Sequence, residues 1–157
     1  MKRLVLILLV MIVLFGSLPG SAVQGQDSIF LPAVFEQYDE RAALVALYKS
    51  TDGDNWYYNT NWLSDSVPHC DWYGITCDSD EGVVIQIELR SNWMKGAVPA
   101  EIGNLVNLRK LDLSRNNLSS LPPEIGNHDS LQYLNLESEY GPGSNLTSLP
   151  PEIVNLT

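Results

Sequence analysis

The stretch "HCDWYGITCD" sets His69, Cys70, Asp71, Cys77 and Asp78 within ten positions, the densest grouping of possible metal ligands and redox groups in the chain. Three chemistries could use it: a zinc site, a dithiol redox pair, or a disulfide. Zinc fits poorly. Six residues separate the cysteines, unlike a close C-x₂₋₄-C pair, and no second Cys/His pair completes a tetrahedral set, because the one other histidine is His128. A redox pair would be spaced C-x-x-C. A disulfide between Cys70 and Cys77, closing a short loop around Trp72 and Gly74, is the reading these residues favour.

The remaining acidic groups suggest little catalysis. "TDGDNW", residues 51–56, resembles the start of a calcium loop, but Gly53 comes too early and no bidentate Glu closes it, so Asp52 and Asp54 read as turn residues. No carboxylate pair is marked out by a motif or a His or Ser partner, as glycosidase chemistry would require. Three N-x-[ST] sequons, at Asn117, Asn145 and Asn155, coincide with the Asn-Leu-Ser/Thr usage of a repeat and matter only in a host that glycosylates. On these grounds the chain is read as neither an enzyme nor a metalloprotein, and it calls for no cofactor.

The start of the chain bears on the cysteines. Lys2 and Arg3 precede an uncharged apolar run from Leu4 to Leu18, followed by small residues near Gly20-Ser21-Ala22, the order of a secretory signal peptide. The run is short of the ~20 residues that span a bilayer. Residues 1–26 are therefore expected to be a cleaved leader and the mature protein to be secreted, extracellular or at the cell surface, with no membrane span after cleavage. Export favours disulfide formation. Of nine Lys and Arg, two lie in the leader, which leaves seven against nineteen Asp and Glu. That balance argues against nucleic acid as a partner, since such binding rests on neutralising phosphates.

Self-comparison supplies the architecture. "VIQIELRSNWM" from Val84, "LRKLDLSRNNL" from Leu108 and "LQYLNLESEYG" from Leu131 recur at 24 and then 23 residues, with Val84, Ile87, Leu89, Asn92 and Met94 answering to Leu108, Leu111, Leu113, Asn116 and Leu118. The period and the L-x-x-L-x-L-x-x-N-x-L pattern are those of a leucine-rich repeat. Alternation in "LDL" sends Leu111 and Leu113 inward and Asp112 outward from a short strand. The asparagines are expected to bond backbone groups of adjacent coils. "GAVPAEIGNL", "SLPPEIGNH" and "SLPPEIVNL" follow as proline-containing second halves, expected to form irregular or short 3₁₀ arcs. The third unit carries an insertion around "EYGPGS", so its asparagine position falls on Glu139 or Ser144 and the ladder is expected to weaken there.

Ahead of the repeats, "DERAALVALYKSTDG" predicts one amphipathic helix with an Asp39 cap, apolar Leu44, Leu47 and Tyr48, and a Gly53 stop. With Trp56, Trp62 and Trp72 it would form the lid a solenoid needs over its first coil. The domain reading is thus 1–26 leader, 27–82 cap and 83–157 about three repeats, an α/β leucine-rich-repeat solenoid with a short curved parallel sheet. Because the chain stops where a further strand would begin, a second reading is the N-terminal piece of a larger receptor or multidomain surface protein.

The segment from Glu40 through "NWLSD" and "CDWYGITCDSDEGVVIQIELRSNWMKGAVPAEIGNL" resembles the cap and first repeat of extracellular leucine-rich-repeat proteins. Plant receptor-like kinases and polygalacturonase-inhibiting proteins carry a C-x-W-x-G-V-x-C cap core, matched by Cys70, Trp72, Gly74, Ile75 and Cys77. "TDGDNW...NW" is similar to caps of secreted bacterial leucine-rich-repeat proteins. The resemblance implies a binding module for a protein, peptide or glycan. The surface left for recognition is the concave sheet face: Gln86, Glu88, Arg90 and Ser91 in the first coil, Lys110, Asp112, Ser114 and Arg115 in the second, Tyr133, Asn135, Glu137 and Ser138 in the third. All twelve are expected to be exposed.

Overall fold

A computed structural model describes residues 39–138, 146 and 148–156. The expected leader and the expected insertion around "EYGPGS", with Glu139 and Ser144, lie outside the described residues.

The first element, α1 (Glu40–Ser50), forms where the sequence places it. Asp39 Oδ1 accepts from Ala42 N at 2.8 Å, Glu40 sits in the first turn and Lys49 in the last, each matching the sign of the helix end it occupies. Ala43, Leu44, Leu47 and Tyr48 form its buried stripe. The stop differs from expectation. Thr51 ends the helix by returning its hydroxyl and its N–H to Leu47 O, and Asp52, not Gly53, takes the left-handed conformation at φ 61°. Gly53 instead lies flat beneath the Tyr48 ring, where a Cβ would overlap ring carbons.

The strands are β1 (Ile75–Cys77), β2 (Val84–Glu88), β3 (Lys95–Ala97), β4 (Lys110–Asp112), β5 (Asn117–Ser120) and β6 (Tyr133–Asn135). They make two sheets, one in the order β1-β2-β4-β6 and a second of β3 and β5. The repeat period becomes the register: Gln86 pairs with Lys110 and Lys110 with Tyr133, while Ile87, Leu111 and Leu134 align beneath. The proline-containing arcs are 3₁₀ turns at Ala100–Asn104, Pro123–Asn127 and Pro151–Asn155. Two pairings went unforeseen, the antiparallel β1 at the sheet edge and the parallel β3/β5 ladder on the side wall.

Val84, Ile87, Leu89 and Met94 in the first coil, with Leu108, Leu111, Leu113 and Leu118 in the second, are buried in one continuous core with Ile102, Leu105 and Ile125 from the arcs. Each such side chain withdrawn from water contributes about 2 kcal/mol. In the third coil Leu134, Leu136, Leu146, Ile153 and Leu156 are only partly buried against that core.

The asparagine ladder joins the coils. Asn116 donates to Leu89 O, Leu113 O and Ser114 O at 2.8, 2.9 and 3.2 Å, and its Oδ1 accepts from Asn92 N and Met94 N. Asn92 faces the other way, towards the cap: its Oδ1 accepts from Tyr58 N at 2.7 Å and its amide donates to Tyr58 O at 2.9 Å. The segment after α1 is thereby held like one more rung on the first coil.

The lid is an aromatic stack. Tyr48, Trp56, Trp62 and Trp72 are buried, with successive centroids 5.1 Å (Tyr48 to Trp56), 4.8 Å (Trp56 to Trp62) and 5.1 Å (Trp62 to Trp72) apart. Each indole N–H reaches a backbone carbonyl, of Thr51, Tyr73 and Val67 respectively, so burial leaves no orphan donor there. Gly96, at φ 121°, lets the first coil approach the end of α1, since a Cβ there would run into Ser50 O.

Candidate functional site

Cys70 and Cys77 are joined, with Cα atoms 5.4 Å apart. His69 lies close to both sulfurs, but a disulfide offers no thiolate to a metal. Its Nε2 stands 3.7 Å from Glu40 Oε2, and that same carboxylate oxygen accepts from Val84 N, tying α1 to the start of β2. Asp78 caps the β1–β2 turn through bonds from Asp80 N and Glu81 N, and those two bonds are the main reason its carboxyl is held below the usual range. The opening cluster is architectural: a disulfide, a tie from helix to strand beside His69, and a turn cap.

The aspartates of "TDGDNW" are likewise engaged locally: Asp54 accepts from the Tyr48 hydroxyl at 3.0 Å and Asp52 from the Asn55 amide at 2.9 Å. Burial raises the phenol pKa of Tyr48, and the Asp54 carboxylate beside it adds to the rise.

On the concave face the register brings Gln86, Lys110 and Tyr133 into one row and Glu88, Asp112 and Asn135 into the next. Lys110 is the centre of this strip. Its ammonium bonds the Glu88 carboxylate and lies over the Tyr133 ring, 5.4 Å from the centroid. The bond to Glu88 is the first cause of its raised pKa. Glu88, Arg90, Ser91, Tyr133, Glu137 and Ser138 are exposed, and Gln86, Lys110, Arg115 and Asn135 half-buried. Two expectations fail: Asp112 is only 8% exposed and Ser114 not at all. Asp112 folds back on its own turn, accepting from Ser114 N at 3.0 Å and from the Ser114 hydroxyl at 2.6 Å, in the strand that lies between two others of the sheet. Alternation gives the direction of a side chain but not the cover its neighbours provide.

Sequence reading passed over a second surface. Tyr57, Tyr58, Tyr73 and Trp93 are 56%, 47%, 38% and 67% exposed and touch in a row. Tyr73 stacks on Tyr58 at 4.9 Å, Tyr58 meets Tyr57 edge to face at 4.5 Å, and Tyr57 meets Trp93 at 5.0 Å. The clamp from Asn92 to Tyr58, reinforced by Tyr57 N donating to Asn92 O, places this row against the first coil. Trp93 holds a left-handed φ of 59°, rare for a bulky residue. The available signal was that it follows the ladder asparagine, where the second coil has Asn117.

Residues 38–78 match the model of the leucine rich repeat N-terminal domain and residues 107–128 that of the leucine rich repeat. The chain is 41% identical over 81 residues to phytosulfokine receptor 1 of Arabidopsis thaliana, covering 49% of this chain and 8% of that protein. Over 70 residues it is 40% identical to receptor-like protein 35 of the same plant, covering 43% and 7%. Among solved structures it is similar to the BIR2 ectodomain from Arabidopsis thaliana, at 30% identity and a TM-score of 0.59, over 74% of this chain and 62% of that one. The chain spans about a tenth of the length of the curated relatives it matches. Among the described residues no helix is long and apolar enough to cross a membrane. With cap, coil period and asparagine ladder agreeing in sequence and backbone, the described residues carry a leucine-rich-repeat N-terminal cap followed by leucine-rich repeats, similar to those of plant leucine-rich-repeat receptors.

Proposed function

We propose that the chain is a non-catalytic, exported recognition module that docks a protein or peptide on its concave face. The observation that carries this is the Glu88–Lys110–Tyr133 strip: side chains from three adjacent strands, the outer two joined through Lys110 across the open sheet face. Their order before any ligand arrives lowers the entropy lost on binding, and Tyr is among the residues that most often anchor interfaces. Arg90 and Glu137 extend the strip along the strand direction. Support also comes from a relative: the ectodomain of the receptor kinase GASSHO1/SCHENGEN3 from Arabidopsis thaliana, 31% identical with a TM-score of 0.56 over 70% of this chain and 14% of that one, was solved in complex with CASPARIAN STRIP INTEGRITY FACTOR 2.

A displayed library of random peptides and small protein domains, selected on the purified full chain, tests the reading. Enriched binders should lose affinity by about tenfold or more on Tyr133→Ala and on Lys110→Glu, the size of an anchor-residue effect. Binders indifferent to both substitutions, or retention of glycans but of no polypeptide, would overturn it.

A further inference from the structure

The row of exposed rings at Tyr57, Tyr58, Tyr73 and Trp93 is a second surface, separate from the concave strip. Scattered surface aromatics are ordinary, but four in contact are not. The three buried tryptophans all spend their indole N–H on backbone carbonyls, whereas among the described residues the Trp93 N–H meets no protein acceptor. The patch therefore offers apolar ring faces together with an outward-facing donor.

Its relief narrows the ligand. Tyr57 stands at 85° to Tyr58 and 63° to Trp93, while Tyr58 and Tyr73 are inclined by only 27°. Crossed rings leave notches between ridges rather than one flat platform. A polyproline II helix suits notches of this kind: its pyrrolidine rings project as regular ridges, it is stiff before binding, and its carbonyls have no internal donors and can accept from an indole. A flat pyranose would be better served by coplanar rings. Charge selects the flanks. Asp52, Asp54 and Asp71 are exposed on the segments that lead into these rings, and the whole chain carries a formal charge of −10. Both favour a basic partner and disfavour an anionic one.

We propose that Tyr57, Tyr58, Tyr73 and Trp93 form a docking site for a proline-rich segment with basic flanks, in the polyproline II conformation. The clamp of the ladder asparagine on Tyr58 makes the site rigid, and Trp93 is held outward as its end post.

The full chain titrated with a ten-residue polyproline peptide flanked by lysines, followed by calorimetry, tests this. Saturable binding is expected, with a shift of tryptophan emission to shorter wavelength as Trp93 leaves water. Trp93→Gly, which suits the left-handed backbone, and Tyr73→Ala should each weaken binding about tenfold or more with the near-ultraviolet dichroism of the buried lid retained, and Tyr133→Ala should leave it unchanged. Equal binding of a glycine-serine peptide with the same lysines would reduce the effect to charge and overturn the proposal. So would binding of a neutral oligosaccharide in place of the peptide, no saturable binding at all, or loss on Tyr133→Ala. The last variant separates this site from the concave one, so either can fail alone.

Discussion

Asn116 accepts hydrogen bonds through its side-chain oxygen from the backbone N–H groups of Asn92, at 2.9 Å, and Met94, at 3.1 Å. The same amide donates to three carbonyls on two coils, so one side chain satisfies five backbone groups at the bend. Asn116→Ala is expected to lower stability by about 3 kcal/mol, because several half-buried polar groups lose their partner at once. Asn116→Asp keeps the acceptor but sets a charge against three carbonyls, and should be no better. Urea unfolding midpoints of the two variants check both statements.

The Cys70–Cys77 bridge spans a sequence separation of seven. A loop that short restrains the unfolded chain modestly, by about 2.5 kcal/mol in the chain-entropy picture. Native protein should show no thiol reactive to labelling, and reduction, or paired replacement by serine, should lower the thermal midpoint while the coils still fold. Quantitative labelling of both cysteines without reductant would contradict the structure.

His128 occupies the slot that Leu105 fills one coil earlier, and it is 1% exposed with neither ring nitrogen well bonded. Burial pushes its pKa below the usual 6.5, against a weaker opposing pull from the Leu105 and Ile102 carbonyls. The unfolded chain therefore binds this proton at a higher pH than the folded one. Stability from this site is full above about pH 6.5 and falls as the pH drops from there towards the lower folded value. His128→Leu should flatten that part of the stability profile and add about 1 kcal/mol near neutrality by removing an unsatisfied buried group. Chemical unfolding from pH 5 to 8 reads the difference.

Gly53 lies against the Tyr48 ring, and that ring is confined by Trp56 at 5.1 Å and Trp62 at 5.7 Å. Gly53→Ala cannot be absorbed by a rotation of Tyr48 alone. A loss of about 2 kcal/mol is expected, in the range of overpacked cores. A thermal midpoint matching wild type would show that the lid is looser than this packing implies.

The coil spacing was legible because one period sets both the leucine positions and the strand register: the 24- and 23-residue offsets in sequence reappear as Gln86 opposite Lys110 opposite Tyr133. The cap helix, the three lid tryptophans and the disulfide could be read for similar reasons, since local spacing carries them. What could not be read depends on neighbours that are distant in sequence. Asp112 and Ser114 fall on the outward side as alternation requires, yet bond each other and are buried at a central strand. Trp93 and Tyr57 meet only because Asn92 draws the cap segment against the first coil, across 34 residues from Tyr58.

The buried indoles of the lid have an optical consequence. Trp56 and Trp62 lie 4.8 Å apart at 78°, and Trp62 and Trp72 5.1 Å apart at 42°. Chromophores this close and this strongly crossed share their excited states, and crossed transition dipoles rotate polarised light. The protein should thus carry an exciton couplet in its far-ultraviolet dichroism to which the three indoles of the lid are the main contributors. Opening of the lid and melting of the solenoid can then be followed as two signals from one unlabelled sample.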